Sequence, residues 1–335
     1  MEHAQGPGAI MQTFFGIHAA STLAASIRLG VYGALAGGAR TADEVAAKIG
    51  APVRSTRVLL DATSALGFLT KKGGEYALAP HAADHLVPGK PQYMGDVANI
   101  LLSPEHAAEY VRLDEVVKNG GTMLHAHAET PQHPFWETFA ASSAALAFPA
   151  AQALDGIVGA HLASKPKARV LDIACGSGIY GLTLARRPNV EVTLLDWPNV
   201  LEKTRQWLPR LGADAGRVKF LPGNLFEADY GGPYDLVLLS HVYHHFDDAT
   251  CAGLTRKVAA ATATGGLVAT QDFVAAPENP TAALFAITML MWTRQGQSYA
   301  ADDFARWYEA AGLGKPEVYA GGGIPTSWMV GVKRG

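Results

Sequence analysis

Cysteine is scarce. Cys175 and Cys251 are the only two among 335 residues, far apart in segments that read as a buried loop and a helix. They imply no disulfide framework, and a reducing compartment suits the chain. Surplus positive charge is missing as well: lysine plus arginine total 27 against 30 for aspartate plus glutamate. Nothing of that kind drives phosphate-backbone binding, so nucleic acid is not the expected partner. Charged residues make up only 17% and apolar residues 49%, which excludes a disordered chain and allows a sizeable core. The N-terminus lacks the marks of a leader. Glu2 and His3 stand where a basic region would, and Gln12, His18 and Arg28 interrupt the apolar stretch that follows. Neither a signal peptide nor a membrane span is expected, and the cytoplasm is the expected location. No internal repeat or low-complexity tract stands out.

The length predicts two domains, since domains centre near roughly 100–200 residues. From Phe14 to Gly37 apolar residues recur at helical spacing (Phe15, Ile17, Leu23, Ile27, Leu29, Val31), which predicts an amphipathic helix with Gly30 as its break point. Thr41 with Glu44 three residues on is a capping-box signature for a helix ending at Gly50. A second helix follows over Ser55–Leu66, and Phe68–Leu78 around Gly73-Gly74 reads as a hairpin. Helix, turn, helix, hairpin is a winged-helix pattern. Its DNA-binding reading would use Arg54, Arg57, Lys71 and Lys72. Asp61 shares the helix, however, and no basic stripe accompanies these residues, so a dimerisation module is preferred. Residues 92–165 read as mostly helical, with alanine-rich runs from Phe139 to Leu162.

At Ala168 the pattern changes. Ala168–Cys175 reads as a short buried strand, and Gly176-Ser-Gly-Ile-Tyr-Gly181 as a turn that opens a helix. Further strands are predicted at Val190–Leu195, Val218–Leu221, Tyr234–Leu239 and Gly266–Asp272. Strands alternating with helices predict an α/β fold, a doubly wound, mostly parallel Rossmann-like sheet. Ligands of such sheets bind outside the carboxyl ends of the strands, so the residues there are the candidates: the glycines after the first strand, Asp196 after the second, Asn224 after the third and His244 after the fourth. The spacing of Gly176, Gly178 and Gly181 also serves NAD-binding proteins. Asp172 and the Asp-Ile-Ala-Cys run ahead of the glycines suit a ligand without a pyrophosphate, and no hydride-transfer site is evident. A nicotinamide-dependent oxidoreductase is therefore the lesser reading.

Four runs, Val170-Leu-Asp-Ile-Ala-Cys-Gly-Ser-Gly178, Leu195-Asp-Trp-Pro198, Gly223-Asn-Leu-Phe226 and Val242-Tyr-His-His-Phe-Asp-Asp248, resemble in order and spacing the class I S-adenosylmethionine-dependent small-molecule O-methyltransferases. Bacterial secondary-metabolite members and plant caffeate-type enzymes share them, and the resemblance extends to the winged-helix region. It implies a dimerisation domain over residues 1–95, a helical linker and substrate lid over 96–165, and the cofactor-binding domain over 166–335. It also implies a homodimer formed through the N-terminal domain and a small-molecule methyl acceptor.

The resemblance assigns roles. Gly176 and Gly178 would pack beneath the methionine part of S-adenosylmethionine, with Asp172 near its amino group. Asp196 would take both ribose hydroxyls, as two carboxylate oxygens can. Trp197 and Phe226 suit the adenine faces, Asn224 and the backbone of Leu225 its edge, and Ser240 the cofactor carboxylate. Asn224 departs from the aspartate usual there but keeps an acceptor oxygen. Methylating a hydroxyl needs a base beside the acceptor. By the resemblance His244 is that base and Asp272 its acidic partner; His245 falls where the family commonly has aspartate, and an exchange of roles between the two histidines stays open. The apolar helix holding Phe285, Met289 and Trp292 reads either as plain core or as a wall of the acceptor pocket. Arg294-Gln-Gly-Gln-Ser-Tyr299 departs from the plant pattern Gly-Lys-Glu-Arg-Thr. His241, His244 and His245, or His125, His127 and His133, lack convincing metal-ligand spacing, and methyl transfer requires no metal. Transfer to nitrogen, sulfur or carbon, and a cofactor-sensing DNA-binding regulator, remain the alternatives to O-methylation.

Overall fold

A computed structural model describes residues 6–90, 92–323 and 325–335; Glu2 and His3 lie outside them. The chain divides into two compact units, one ending at Ala108 and the other beginning at Glu109.

In the first unit, helices Pro7–Arg28 and Val31–Ala36 meet at Gly30, whose φ of 77° supplies the predicted break. Thr41 and Glu44 close a reciprocal capping box: the Glu44 amide donates to the Thr41 hydroxyl, and the Thr41 amide to the Glu44 carboxylate. Helix Ala42–Ile49 then ends at Gly50, and helix Val53–Ala65 follows. Strands β1 (Leu69–Lys72) and β2 (Glu75–Leu78) pair antiparallel across Gly73-Gly74, where positive φ at both positions gives the tight hairpin its twist. Tyr32, Leu35, Val45, Leu60, Leu69 and Tyr76 form the core of this unit. The apolar spacing of the first helix splits in two. Leu23 and Ile27 pack on that core, whereas Ile10, Met11, Phe14, Phe15 and Ile17 are 54–69% exposed. By length and composition alone this helix could cross a membrane, with a mean hydropathy of 1.2 over its most apolar window.

The second unit is built on a seven-stranded sheet. Its strands are β3 (Ala168–Ile173), β4 (Val190–Asp196), β5 (Val218–Pro222), β6 (Tyr234–Ser240), β7 (Thr262–Asp272), β8 (Glu317–Ala320) and β9 (Ser327–Val332), in the order β5-β4-β3-β6-β7-β9-β8. The first five are parallel, and β9 pairs antiparallel with both β7 and β8. The two antiparallel strands go beyond the five read from the sequence. Side-chain alternation divides the core between the sheet's faces. Val170, Val192, Leu236 and Leu238 meet helices Ala144–Ala163 and Ile179–Leu184 on one side. Leu171, Ile173, Val237 and Leu239 meet helices Asp248–Ala261 and Ala301–Ala310 on the other.

Gly181 keeps helix Ile179–Leu184 close to the sheet. A Cβ there would lie 2.8 Å from Leu194 Cδ2, 2.9 Å from Val192 Cγ1 and 3.0 Å from Asp172 Oδ2. Gly181→Ala is expected to destabilise the protein by ~1–3 kcal/mol through overpacking, read as a lowered midpoint in denaturant unfolding. An unchanged midpoint would mean that the helix can retreat without loss.

Candidate active site

Adjacent strand ends build one cleft. Asp172, near the end of β3, is fully buried; its Oδ2 accepts the Gly181 amide at 2.9 Å, and its Oδ1 is buried without a hydrogen-bond partner among the described residues. Burial, opposed by the Gly181 bond and assisted by neighbouring Asp196, pushes its carboxyl up to about 8. Asp196 closes β4. Its Oδ2 accepts the Gly176 amide at 2.8 Å and its Oδ1 the Trp197 amide at 2.7 Å, and burial raises it to about 6 against those two bonds. Both oxygens therefore serve the backbone already, with lone pairs to spare for further donors. Gly176 and Gly178 take φ of 55° and 73°, and the Thr204 hydroxyl pins the loop by donating to the Gly176 carbonyl at 2.6 Å.

Trp197, Asp196, Leu195, Ala174, Gly223 and Leu225 line a cavity of about 30 Å³. Phe226 is not among these residues: it is 41% exposed, with its ring edge-on to Phe246 at 4.9 Å. Asn224 Oδ1 accepts the Phe226 amide and so shapes the turn. The Ser240 hydroxyl donates to Gln271 Oε1 at 2.9 Å, and Gln271 in turn donates to Thr326.

At the ends of β6 and β7, His244 Nδ1 lies 2.6 Å from Asp272 Oδ1, with both side chains almost fully buried. An ionised carboxylate only accepts, so Nδ1 carries the proton and the Nε2 lone pair stays free. The His244 amide adds a bond to Asp272 Oδ2 at 3.3 Å. Burial pushes Asp272 up, but attraction to His244, their hydrogen bond, His241 and the Phe273 amide outweigh it and hold the carboxyl below its usual range. Burial drives His241 down to about 4, and burial with two neighbouring imidazoles holds His245 well below the usual histidine range. Both are neutral at pH 7. His245 Nδ1 is buried without a partner among the described residues. Of the two candidate bases, His244 is the one that pairs with Asp272 among the described residues. Asp272 also supplies a carboxylate to the histidine cluster: ligand atoms of His241, His244 and Asp272 lie within 4.8 Å of one another, a set the sequence spacing did not suggest.

Phe285 sits edge-on to His244 at 4.8 Å and stacks on Phe273 at 4.1 Å; Met289 and Trp292, farther along the same helix, are buried, with the Trp292 ring against Phe135 at 4.1 Å. His127 lies elsewhere: its Nδ1 accepts the Glu129 amide and its Nε2 accepts Arg294 Nε.

Residues 159–314 match the family model for an O-methyltransferase domain, and residues 11–88 match that for an O-methyltransferase dimerisation domain. A 3-hydroxy-5-methyl-1-naphthoate 3-O-methyltransferase of Streptomyces sahachiroi is 28% identical over 89% of this chain and 86% of its own. A solved structure from Nostoc punctiforme is 30% identical with a TM-score of 0.89, covering 98% of this chain and 100% of its own. An acetylserotonin O-methyltransferase of Mus musculus molossinus is 30% identical over 85% of this chain and 78% of its own. The chain belongs to the O-methyltransferase family. Its cofactor is S-adenosylmethionine, the compound held, as such or as its demethylated product, in solved structures of the same fold.

The residues present fit such a cofactor in charge: Asp172 keeps an unpartnered oxygen and Asp196 spare lone pairs, which would suit a ligand that carries cationic groups. Sequence reading missed several residues that shape the cleft. Phe135, Trp136 and Phe139 sit on helix Pro134–Ser142, and their i, i+1, i+4 spacing was the available signal. Gly296 approaches the base loop so closely that a Cβ would strike the His244 carbonyl and Thr293 Oγ1, a contact with no local signature. Ala174 and His241 hold positive φ of 53° and 58°, uncommon for residues with a Cβ and typical of strained functional sites.

The raised carboxyls give cofactor binding a pH dependence. A cationic ligand favours their ionised forms, so affinity for S-adenosylmethionine is expected to rise as pH increases from about 6 through about 8 and to level off above. Near pH 7 binding should release protons, measurable by calorimetry in buffers of different ionisation heat. Proton uptake would contradict this electrostatic account.

Proposed function

We propose that this enzyme methylates a hydroxyl on a flat aromatic or polyketide-like metabolite, with His244 as general base, Asp272 as its orienting partner and the cleft formed by Asp172, Gly176, Gly178, Asp196, Trp197 and Leu225 as the cofactor site. The His244–Asp272 hydrogen bond carries the base assignment. When bound, S-adenosylmethionine supplies a methyl group made electrophilic by its sulfonium. His244 Nε2 takes the proton from the acceptor hydroxyl as the oxygen attacks, and Asp272 stabilises the imidazolium that results. Phe273, Phe285, Met289 and Trp292 suit a planar acceptor. The naphthoate-methylating relative acts on such a ring system, which favours the same chemical class here.

We further read the chain as a cytoplasmic homodimer. Two buried free thiols fit a reducing compartment. The exposed apolar residues of helix Pro7–Arg28 lie largely within the dimerisation-domain match, and a second copy covering them would remove that surface from water.

His244→Ala is expected to lower kcat by roughly 10²–10⁴-fold on an aromatic hydroxyl acceptor while leaving cofactor affinity unchanged. Full activity in that variant would reject His244 as the base. Light scattering of the intact chain should give twice the monomer mass, and Phe14→Asp with Phe15→Asp should shift it toward the monomer. A wild-type monomer would refute the dimer.

A further inference from the structure

Helix Pro134–Ser142 presents three aromatic rings in succession. Phe139 lies at the glycine-loop end, its Cδ1 and Cε1 3.9 Å from the position of a Cβ on Gly176. Trp136 lies at the other end, edge-on to His245 at 5.4 Å, with His245 itself 4.4 Å from His244. Phe135 stacks on Phe139 at 6.2 Å, and the Trp136 indole is fixed by its bond to the Ala128 carbonyl at 2.9 Å. The helix is anchored to the cofactor half of the cleft through Glu137, which accepts from Asn199 Nδ2 at 3.0 Å and pairs with Lys203 at 3.7 Å. The aromatic ridge thus runs from the glycine loop to His245, the neighbour of His244. Six cation–ring pairs occur elsewhere among the described residues, yet none involves Phe139 or Trp136. Phe139 is half-buried, and helix Pro134–Ser142 carries no lysine or arginine of its own.

We propose that Phe139, backed by Trp136, is a cation–π contact for the cofactor's sulfonium, so that this wall binds the charged methyl donor in preference to the neutral product. This rests on the cofactor site proposed above. An aromatic face attracts a cation in a desolvated cleft and gives no such attraction to a neutral thioether. In the transfer the S–CH3 bond breaks, its electron pair stays on sulfur, the new O–CH3 bond forms and the acceptor's proton leaves for the base. The positive charge departs from the sulfur in that step, and the ring's electrostatic hold on the cofactor goes with it. The ridge then favours entry of the donor and release of the product.

S-Adenosylmethionine and S-adenosylhomocysteine differ at this sulfur by one methyl group and one charge, so their affinities can be compared without a known acceptor. In calorimetric titrations, Phe139→Leu is expected to weaken S-adenosylmethionine by about tenfold, ~1.4 kcal/mol, and S-adenosylhomocysteine by less than about twofold. Phe139→Tyr, which keeps the ring face, should retain the wild-type ratio. Equal weakening of both ligands by Phe139→Leu, or no change in either, would overturn the sulfonium contact. Asp196→Ala serves as the separate check on the site itself: it should weaken both ligands alike, and unchanged binding there would remove the cofactor placement on which the ridge depends. Far-ultraviolet circular dichroism of each variant excludes unfolding as the cause.

Discussion

The parallel register of β3, β4, β6 and β7 is the constraint on which the cleft depends. It brings their carboxyl ends to one rim, where each chain must leave the sheet while its next amide still needs a partner. Cross-strand carbonyls meet that need: the Cys175 amide donates to Leu195, Gly223 to Asp196 and His241 to Gln271. These stitches hold Ala174 and His241 in left-handed conformations that cost ~1–3 kcal/mol apiece when nothing enforces them. The side chains that follow are aimed by the rim and not by their own preference. His244 can reach Asp272 because β6, which ends four residues before it, is the hydrogen-bonded neighbour of β7, with Ser240 opposite Gln271 one residue before that aspartate.

Much of this was legible in the sequence because the signals were local. The capping box at Thr41, the glycine hairpin and the five parallel strands each rest on residues a few positions apart. What escaped depends on distant partners. Strands β8 and β9 add to an edge already formed, and the Ser-Trp-Met-Val-Gly-Val run has no turn signal tying it to β7. Gly296 looks like any loop glycine until the His244 carbonyl is found against it. Phe226 is a further case: its place in a family motif suggests an adenine face, and its ring stands 41% exposed and edge-on to Phe246, a setting the motif does not specify. Motif spacing specifies which residue occupies a position, and the turn chemistry around it decides where the side chain goes.

The rim separates two electrostatic environments. On the β3–β4 side, Asp172 and Asp196 are buried with few donors, and ionising either is opposed by lost hydration. Such a site is poorly satisfied when empty of cations and well satisfied by a ligand that carries them. On the β6–β7 side the flanking imidazoles of His241 and His245 are neutral, and the Asp272 carboxylate is hydrogen-bonded to His244. Its charge is then available to an imidazolium at His244.

That separation matters for a reaction in which positive charge moves. The charge begins on the cofactor sulfur and ends on the base once the proton has been taken. Two carboxylates at the starting point without a counterweight at the end would hold the charge in place and oppose transfer. With His244 as the base proposed above, Asp272 would be the counterweight, and the neutral rings of His241 and His245 would not repel the imidazolium as it forms. A second carboxylate at position 245 would stabilise an imidazolium further but would also oppose negative charge developing on the acceptor oxygen. His245, a neutral ring, adds no negative charge against the oxygen from which the proton is drawn.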